Sequence, residues 1–246
     1  MAYSKPFSLL PLLSIAFILA LHTPMAAAQL RHFCANTATS PPDSLYRQNL
    51  NTLLGNLSSN TPRNGYSSGT AGECTGKVYG LALCRGDVST ADCNSCVADA
   101  TTRIRELCPN DTGAIVWYDN CLLKYSEDDF FGKIDNVNKV YLVNPVEAED
   151  PKSFMQNTKE LLTRLAAKAA LLKSSYAVGK MDIGGSMTLY GLTQCTRDLS
   201  GEDCKKCLDD AIAELPQCCG IAKLGGRVIE GSCNFRYETF PFYNGA

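Results

Sequence analysis

The feature that most limits what this 246-residue chain can fold into is a cysteine spacing that occurs twice. Cys84, Cys93 and Cys96 read C-x8-C-x2-C behind Tyr79-Gly80-Leu81, and Cys195, Cys204 and Cys207 repeat the spacing behind Tyr190-Gly191-Leu192. The differences 195−84, 204−93 and 207−96 all equal 111, and so does 219−108. An internal repeat of this length means two copies of one domain. Each copy is small enough to need covalent staples beside its core.

All 13 cysteines follow residue 28. Residues 1–28 read as a secretory leader: Lys5, an apolar run from Leu9 to Leu21, and Ala26-Ala27-Ala28 before Gln29. Pro11 and Pro24 bracket a run shorter than the ~20 apolar residues of a spanning helix, and no later run approaches that length, so no membrane span is expected in the mature chain. An oxidising compartment makes disulfides the default reading of the cysteines. Without the leader 246−28 = 218 residues remain, and the charge becomes 22−25 = −3 because Lys5 leaves. That balance gives no electrostatic reason to expect nucleic acid or an anionic membrane as partner.

The first copy reads as a strand at His32-Phe33-Cys34-Ala35, then a helix capped by Asp43 with Leu45, Tyr46, Leu50, Leu53, Leu54 and Leu57 at helical spacing. A Gly/Ser/Thr-rich loop with a strand around Tyr66 follows. Ser89-x-x-Asp92 predicts the cap of a second helix that carries Cys93 and Cys96 in its first turns. Ala114–Tyr118 and Cys121–Tyr125 read as strands joined at Asp119-Asn120. A strand over Val137–Val143 either closes the first copy or opens the second. The acidic stretch from Asn144 to Pro151 reads as a linker, with Pro151 in the first turn of the next helix. The second copy repeats the plan. The expected class is α+β: two tandem disulfide-stapled domains, 29–143 and 152–246 about a 144–151 linker, each an antiparallel sheet with two helices on one face.

Catalytic chemistry finds little support. Only His22 and His32 exist, and His22 leaves with the leader, so histidine-based triads and two-histidine zinc sites have too few ligands in the mature chain. Asp128-Asp129 and Glu147, Glu149 and Asp150 read as solvated loop charge rather than a glycosidase pair. Gly184-Gly185 and Gly225-Gly226 lack the setting of a phosphate loop. Cys93-x2-Cys96 has no second close pair at zinc-ribbon spacing. Asn56-Leu57-Ser58 and Asn110-Asp111-Thr112 are glycosylation sequons. No enzyme activity, cofactor or metal is expected.

Tyr79-Gly80-Leu81-Ala82-Leu83-Cys84-Arg85-Gly86-Asp87, Trp117-Tyr118-Asp119-Asn120-Cys121, Gly225-Gly226-Arg227-Val228 and Cys233-Asn234-Phe235-Arg236-Tyr237-Glu238 resemble the plant cysteine-rich repeat secretory proteins. Those carry two ginkbilobin-homologous, or stress-antifungal, domains, and the likeness covers both copies. Six cysteines alone allow fifteen pairings. The resemblance implies Cys34–Cys108, Cys84–Cys93 and Cys96–Cys121 in the first copy, and Cys195–Cys204 and Cys207–Cys233 in the second. This gives Cys93 and Cys96 separate partners, against a thioredoxin-like pair. Cys34 has no counterpart in the second copy, and Cys74, Cys218 and Cys219 are left without a role, with at least one of them free or intermolecular.

Mannose-binding single-domain relatives use an Asn after the first cysteine, an Arg beyond the second helix and a Glu five residues after the last cysteine. In the first copy those positions hold Ala35, Ile115 and Ser126; in the second, Arg227 and Glu238 match, with Asn144 the nearest candidate for the third. The bland alternative is a cross-strand ion pair between Arg227 and Glu238. Trp117 and Tyr118 read as core aromatics sooner than as a sugar platform. The resemblance implies an extracellular, apoplastic recognition and defence protein with antifungal role, binding a mannose-type glycan or cell-wall component. The alternatives are a protein-interaction module that binds a cell-surface protein and no sugar, and a thiol redox sensor built on Cys74, Cys218 or Cys219.

Overall fold

The computed structural model describes residues 29–35, 39–74, 76–219 and 222–245; the expected leader, 1–28, lies outside them. The chain runs β1 (Gln29–Cys34), α1 (Leu45–Asn60), a 3-10 turn (Thr61–Arg63), β2 (Tyr66–Ala71), β3 (Val78–Cys84), α2 (Thr90–Leu107), β4 (Gly113–Tyr118) and β5 (Cys121–Ser126). It continues through β6 (Lys139–Val143), α3 (Pro151–Leu171), β7 (Tyr176–Asp182), β8 (Thr188–Cys195), α4 (Gly201–Ala213), α5 (Leu215–Cys219), β9 (Gly225–Glu230) and β10 (Cys233–Glu238). Two antiparallel sheets result, ordered β1-β4-β5-β3-β2 and β6-β9-β10-β8-β7.

β6 therefore occupies in the second sheet the place that β1 holds in the first, which moves the boundary upstream of 143. Val140 and Leu142 pair with Ile229 and Arg227 of β9. The stretch 144–151 is no free linker either. Asn144 N donates to Gly225 O (3.0 Å), Ala148 N to Ala222 O (2.9 Å) and Leu224 N to Val146 O (2.9 Å), while Glu147 pairs with Lys223 Nζ at 2.8 Å. Asp150 caps α3 through Ser153 N. The sheets are joined instead by 127–138, where Asp135 accepts from the amides of Val137 and Asn138.

Helix starts follow local chemistry. Ser89 and Ser200 cap α2 and α4, accepting from the amides of Asp92 and Asp203. The cap of α1 is Ser44, whose hydroxyl reaches Arg47 N; Asp43 stands one residue too early, because a capping side chain bonds the amide two or three positions on.

Leu50, Leu53, Leu54 and Leu57 of α1 and Val97, Ala100 and Ile104 of α2 bury one face of the first sheet, against Val78, Ala82, Val116 and Leu123. Leu161, Leu162 and Leu165 of α3 and Leu208 of α4 do the same on Val228 and Phe235. The repeated Tyr-Gly-Leu has its cause here. A Cβ on Gly80 would lie 2.9 Å from Leu53 Cδ2, and one on Gly191 2.9 Å from Leu165 Cδ1. The leucines of α1 and α3 thus rest on strand backbone, an approach only glycine permits.

The opposite faces of the two sheets pack on each other. Ile115, Trp117 and Ile229 form a third buried cluster with Leu122 and Val140, and Trp117 Nε1 donates to Glu230 O at 3.2 Å. Gln194 Nε2 donates to Cys84 O at 2.9 Å. The order of layers is helices, sheet, sheet, helices.

Disulfides join Cys34–Cys108, Cys84–Cys93, Cys96–Cys121, Cys195–Cys204 and Cys207–Cys233. Val143 stands where the first copy has Cys34, so Cys219, the counterpart of Cys108, has no partner across the fold and bonds Cys218 beside it. Cys74 is free and exposed.

Candidate functional site

Strand register decides which of the singled-out residues meet. Ala35 N donates to Gly113 O (2.8 Å) and Asn144 N to Gly225 O (3.0 Å). The two hydrogen bonds are equivalent, so Asn144 occupies the position of Ala35 even though no cysteine precedes it. Gly225 pairs with Glu238 and Arg227 with Arg236. Opposed residues of an antiparallel pair project from the same face, so Asn144, Arg227 and Glu238 share the face that looks toward the first sheet. Asn144 and Glu238 flank Gly225 closely: a Cβ there would lie 1.9 Å from Glu238 Oε2 and 3.4 Å from Asn144 Cβ. Asn144 Oδ1 accepts from Val146 N.

The expected ion pair between Arg227 and Glu238 does not form, because they sit two positions out of register. Glu238 Oε1 instead takes Arg236 Nε at 3.0 Å, and Arg227 Nη1 donates to Asp119 Oδ1 of the first unit at 2.7 Å. Asp119 gathers two further guanidinia, with Arg85 Nη1 at 3.2 Å and Arg236 Nη1 at 3.5 Å. Asp87 binds Arg85 through Nε (2.6 Å) and Nη2 (3.0 Å). The C-terminal segment closes over this cluster: the Phe242 ring lies 4.4 Å from the Arg236 guanidinium, and Asn244 N donates to Asp87 Oδ2.

Burial governs the electrostatics. It lowers the Arg227 guanidinium to about 10, with the Asp119 charge opposing and the Arg236 charge adding to the fall. Glu238 is raised by burial against the pull of Arg236. Burial alone would raise Asp87, but the Arg85 hydrogen bonds and charge hold it below the usual carboxylate range. Arg227 Nε has no hydrogen-bond partner among the described residues. Farther along β9, Glu230 is pushed up to about 7 by burial, although Lys139 opposes the rise. Chemically, the arrangement offers hydrogen-bond donors and acceptors of both signs over a glycine floor.

Trp117 is 2% exposed and lies between the sheets, and Tyr118 OH donates to Asp99, so neither offers a platform for a sugar. The sequon residues Asn56 and Asn110 are both exposed. Sequence reasoning missed Asp119, Arg85 and Arg236. The only signal for Asp119 is its place in a hairpin turn, where an acid is ordinary; Arg85 and Arg236 stand in the repeated motifs, but their shared partner lies on another sheet or at a distant turn.

The family model described as salt stress response/antifungal matches residues 33–128 and again 144–240. The chain is 51% identical to the antimicrobial ginkbilobin-2-like protein of Castanea crenata, over 94% of this chain and 96% of that one. It is 48% identical to cysteine-rich repeat secretory protein 38 of Arabidopsis thaliana, over 94% of each. The tandem DUF26 ectodomain of the cysteine-rich receptor-like protein PDLP8 of Arabidopsis thaliana has the same fold, with a TM-score of 0.78 at 24% identity, covering 87% of this chain and all of that one.

Proposed function

From the salt stress response/antifungal family, to which this chain belongs, we propose an extracellular recognition protein of plant defence that acts by binding and not by catalysis. Its ligand is a mannose-type glycan held by the second unit, with Asn144 and Glu238 donating to and accepting from adjacent hydroxyls and Arg227 behind them. The observation that carries this reading is the register that sets Asn144 and Glu238 about Gly225 on the face that bears Arg227. The antimicrobial name of a relative sharing 51% of its residues supports the defensive role, and several disulfides with secretory relatives support a place outside the cell. Among the described residues no helix is long and apolar enough to cross a membrane.

A protein-interaction role without sugar is favoured by one observation: Arg227 spends Nη1 on Asp119 and keeps only 10% of its side chain exposed. Calorimetric titration of the mature chain with mannose and mannan separates the two. Binding that Glu238→Gln and Asn144→Ala weaken by about tenfold or more, with Arg227→Ala removing it, supports the glycan site. Equal binding by Glu238→Gln overturns that site, and absence of binding by the unaltered chain leaves the interaction role.

A further inference from the structure

A second cleft, of 140 Å³, lies where the two units meet on the side of the 3-10 turn, and nothing in the reading above uses it. Its wall combines Arg63 of that turn, Gly65, Arg85, Gly86 and Thr90 from the first unit with Arg197 from the loop after β8 of the second. We propose that this cleft is an oxyanion-binding site, taking a phosphate, sulfate or carboxylate group of an extracellular ligand between Arg63 and Arg197.

Charge supports it. Arg85 is already neutralised by Asp87 and Asp119. Neither Arg63 nor Arg197 has a carboxylate partner among the described residues. Asp198, next along the chain, accepts from Gly132 N, and Asp92 at the start of α2 is held by the Ser89 hydroxyl. Two positive charges without a carboxylate partner among the described residues therefore face one small polar cleft.

Geometry fixes one of the two. Arg197 is held by two carbonyls, Nη1 donating to Asn64 O at 3.0 Å and Nε to Ser174 O at 3.3 Å, and its guanidinium lies over the Tyr66 ring at 5.9 Å. Gly65, held at φ +79° where a side chain would be strained, stands beside Arg197 Nη2 at the cleft. Burial takes water from this guanidinium and lowers its hold on the proton, a cost that an anion in the cleft offsets. Arg63 is exposed and can swing onto the same anion. Thr90 is the first residue of the 18-residue helix α2, whose positive end faces the cleft and adds to the preference for an anion.

Two-dimensional amide NMR of the full disulfide-bonded chain tests this, with inorganic phosphate, inorganic sulfate and galacturonate added separately at constant ionic strength against chloride. The expected result is a saturable shift of the Gly86 and Thr90 amides with at least one of the three, weakened at least about tenfold in both Arg63→Gln and Arg197→Gln. The probe that binds identifies the oxyanion. The Arg63 side chain makes no hydrogen bond among the described residues, so Arg63→Gln keeps the test decisive even if Arg197→Gln loosens the contact between units. Shifts that only follow chloride, or that persist at full strength in Arg63→Gln, overturn the proposal.

Discussion

Replacing Asp119 with alanine removes the carboxylate that Arg85, Arg227 and Arg236 share. Arg227 then keeps its charge in a place where only 10% of its side chain meets solvent. Truncating one partner of a fully buried pair costs about 3–5 kcal/mol, because the other charge stays desolvated, whereas exposed pairs contribute about 0.2–1 kcal/mol. Asp119 itself is 38% exposed, so water reaches the vacated position and the cost falls between these limits, at about 2 kcal/mol. For a chain of this size that corresponds to a fall of about 4–8 °C in Tm. The sole tryptophan, Trp117, reports on the event, since it sits in the contact between the sheets. Urea unfolding with the disulfides intact, followed by Trp117 fluorescence, measures the loss. Arg227→Met leaves Asp119 with Arg85 and Arg236 and removes the stranded charge, so the double variant should lose less than the sum of the single losses, by about 1 kcal/mol or more. An unchanged midpoint for Asp119→Ala, or strict additivity in the double variant, refutes the reasoning.

Glu230 predicts a pH dependence. Its folded value near 7 exceeds the ordinary carboxylate value of 4.5, so the folded chain binds the extra proton between those limits and stability falls as pH rises from about 4.5 to about 7. Glu230→Gln should flatten that slope in unfolding titrations; the groups around it are Lys139, Glu214 and Asp135, and an unaltered slope assigns the dependence to them. Gly191→Ala sets a methyl 2.9 Å from Leu165 Cδ1 and 3.0 Å from Leu161 Cδ2, and overpacking of this kind costs about 1–3 kcal/mol. The same change at Gly55, an exposed position of α1 with nothing within 4 Å, should stabilise the chain slightly; equal midpoints for the two variants contradict the close approach of α3 to β8.

How far the fold can be read from the chain depends on what marks each element. The helices carry their own signal, leucines at helical spacing in α1 and α3 and serine caps at α2 and α4, and Cys84, Cys93 and Cys96 find the same environment as Cys195, Cys204 and Cys207. β6 carries no such marker. Val140 and Leu142 fit either sheet by pattern, and only the free edge of β9 decides between them. Asn144 was uncertain for the same reason, since Val143 replaces the cysteine that would have located it. The expected Arg227–Glu238 pair failed on register, a shift of two residues that reads identically in a sequence. Asp119 was illegible because its meaning lies in the other unit. A turn residue two of whose three partners, Arg227 and Arg236, lie more than a hundred positions away leaves no local trace.

The back-to-back contact of the sheets makes this molecule in effect a dimer fused into one chain. A true dimer built from identical copies must use every surface residue twice, once on each side of its axis. Fusion lifts that obligation. Asp119 corresponds to Gly231 and Arg227 to Ile115, counting from Cys121 and Cys233, so the acid and the arginine that meet across the contact have a glycine and an isoleucine as their duplicates. One half could lose its polar groups and turn apolar while the other kept them, and a lesion in either half is felt by both. Excising one half would strip the cover from Trp117 or Ile229, so the halves should be inherited, expressed and engineered together.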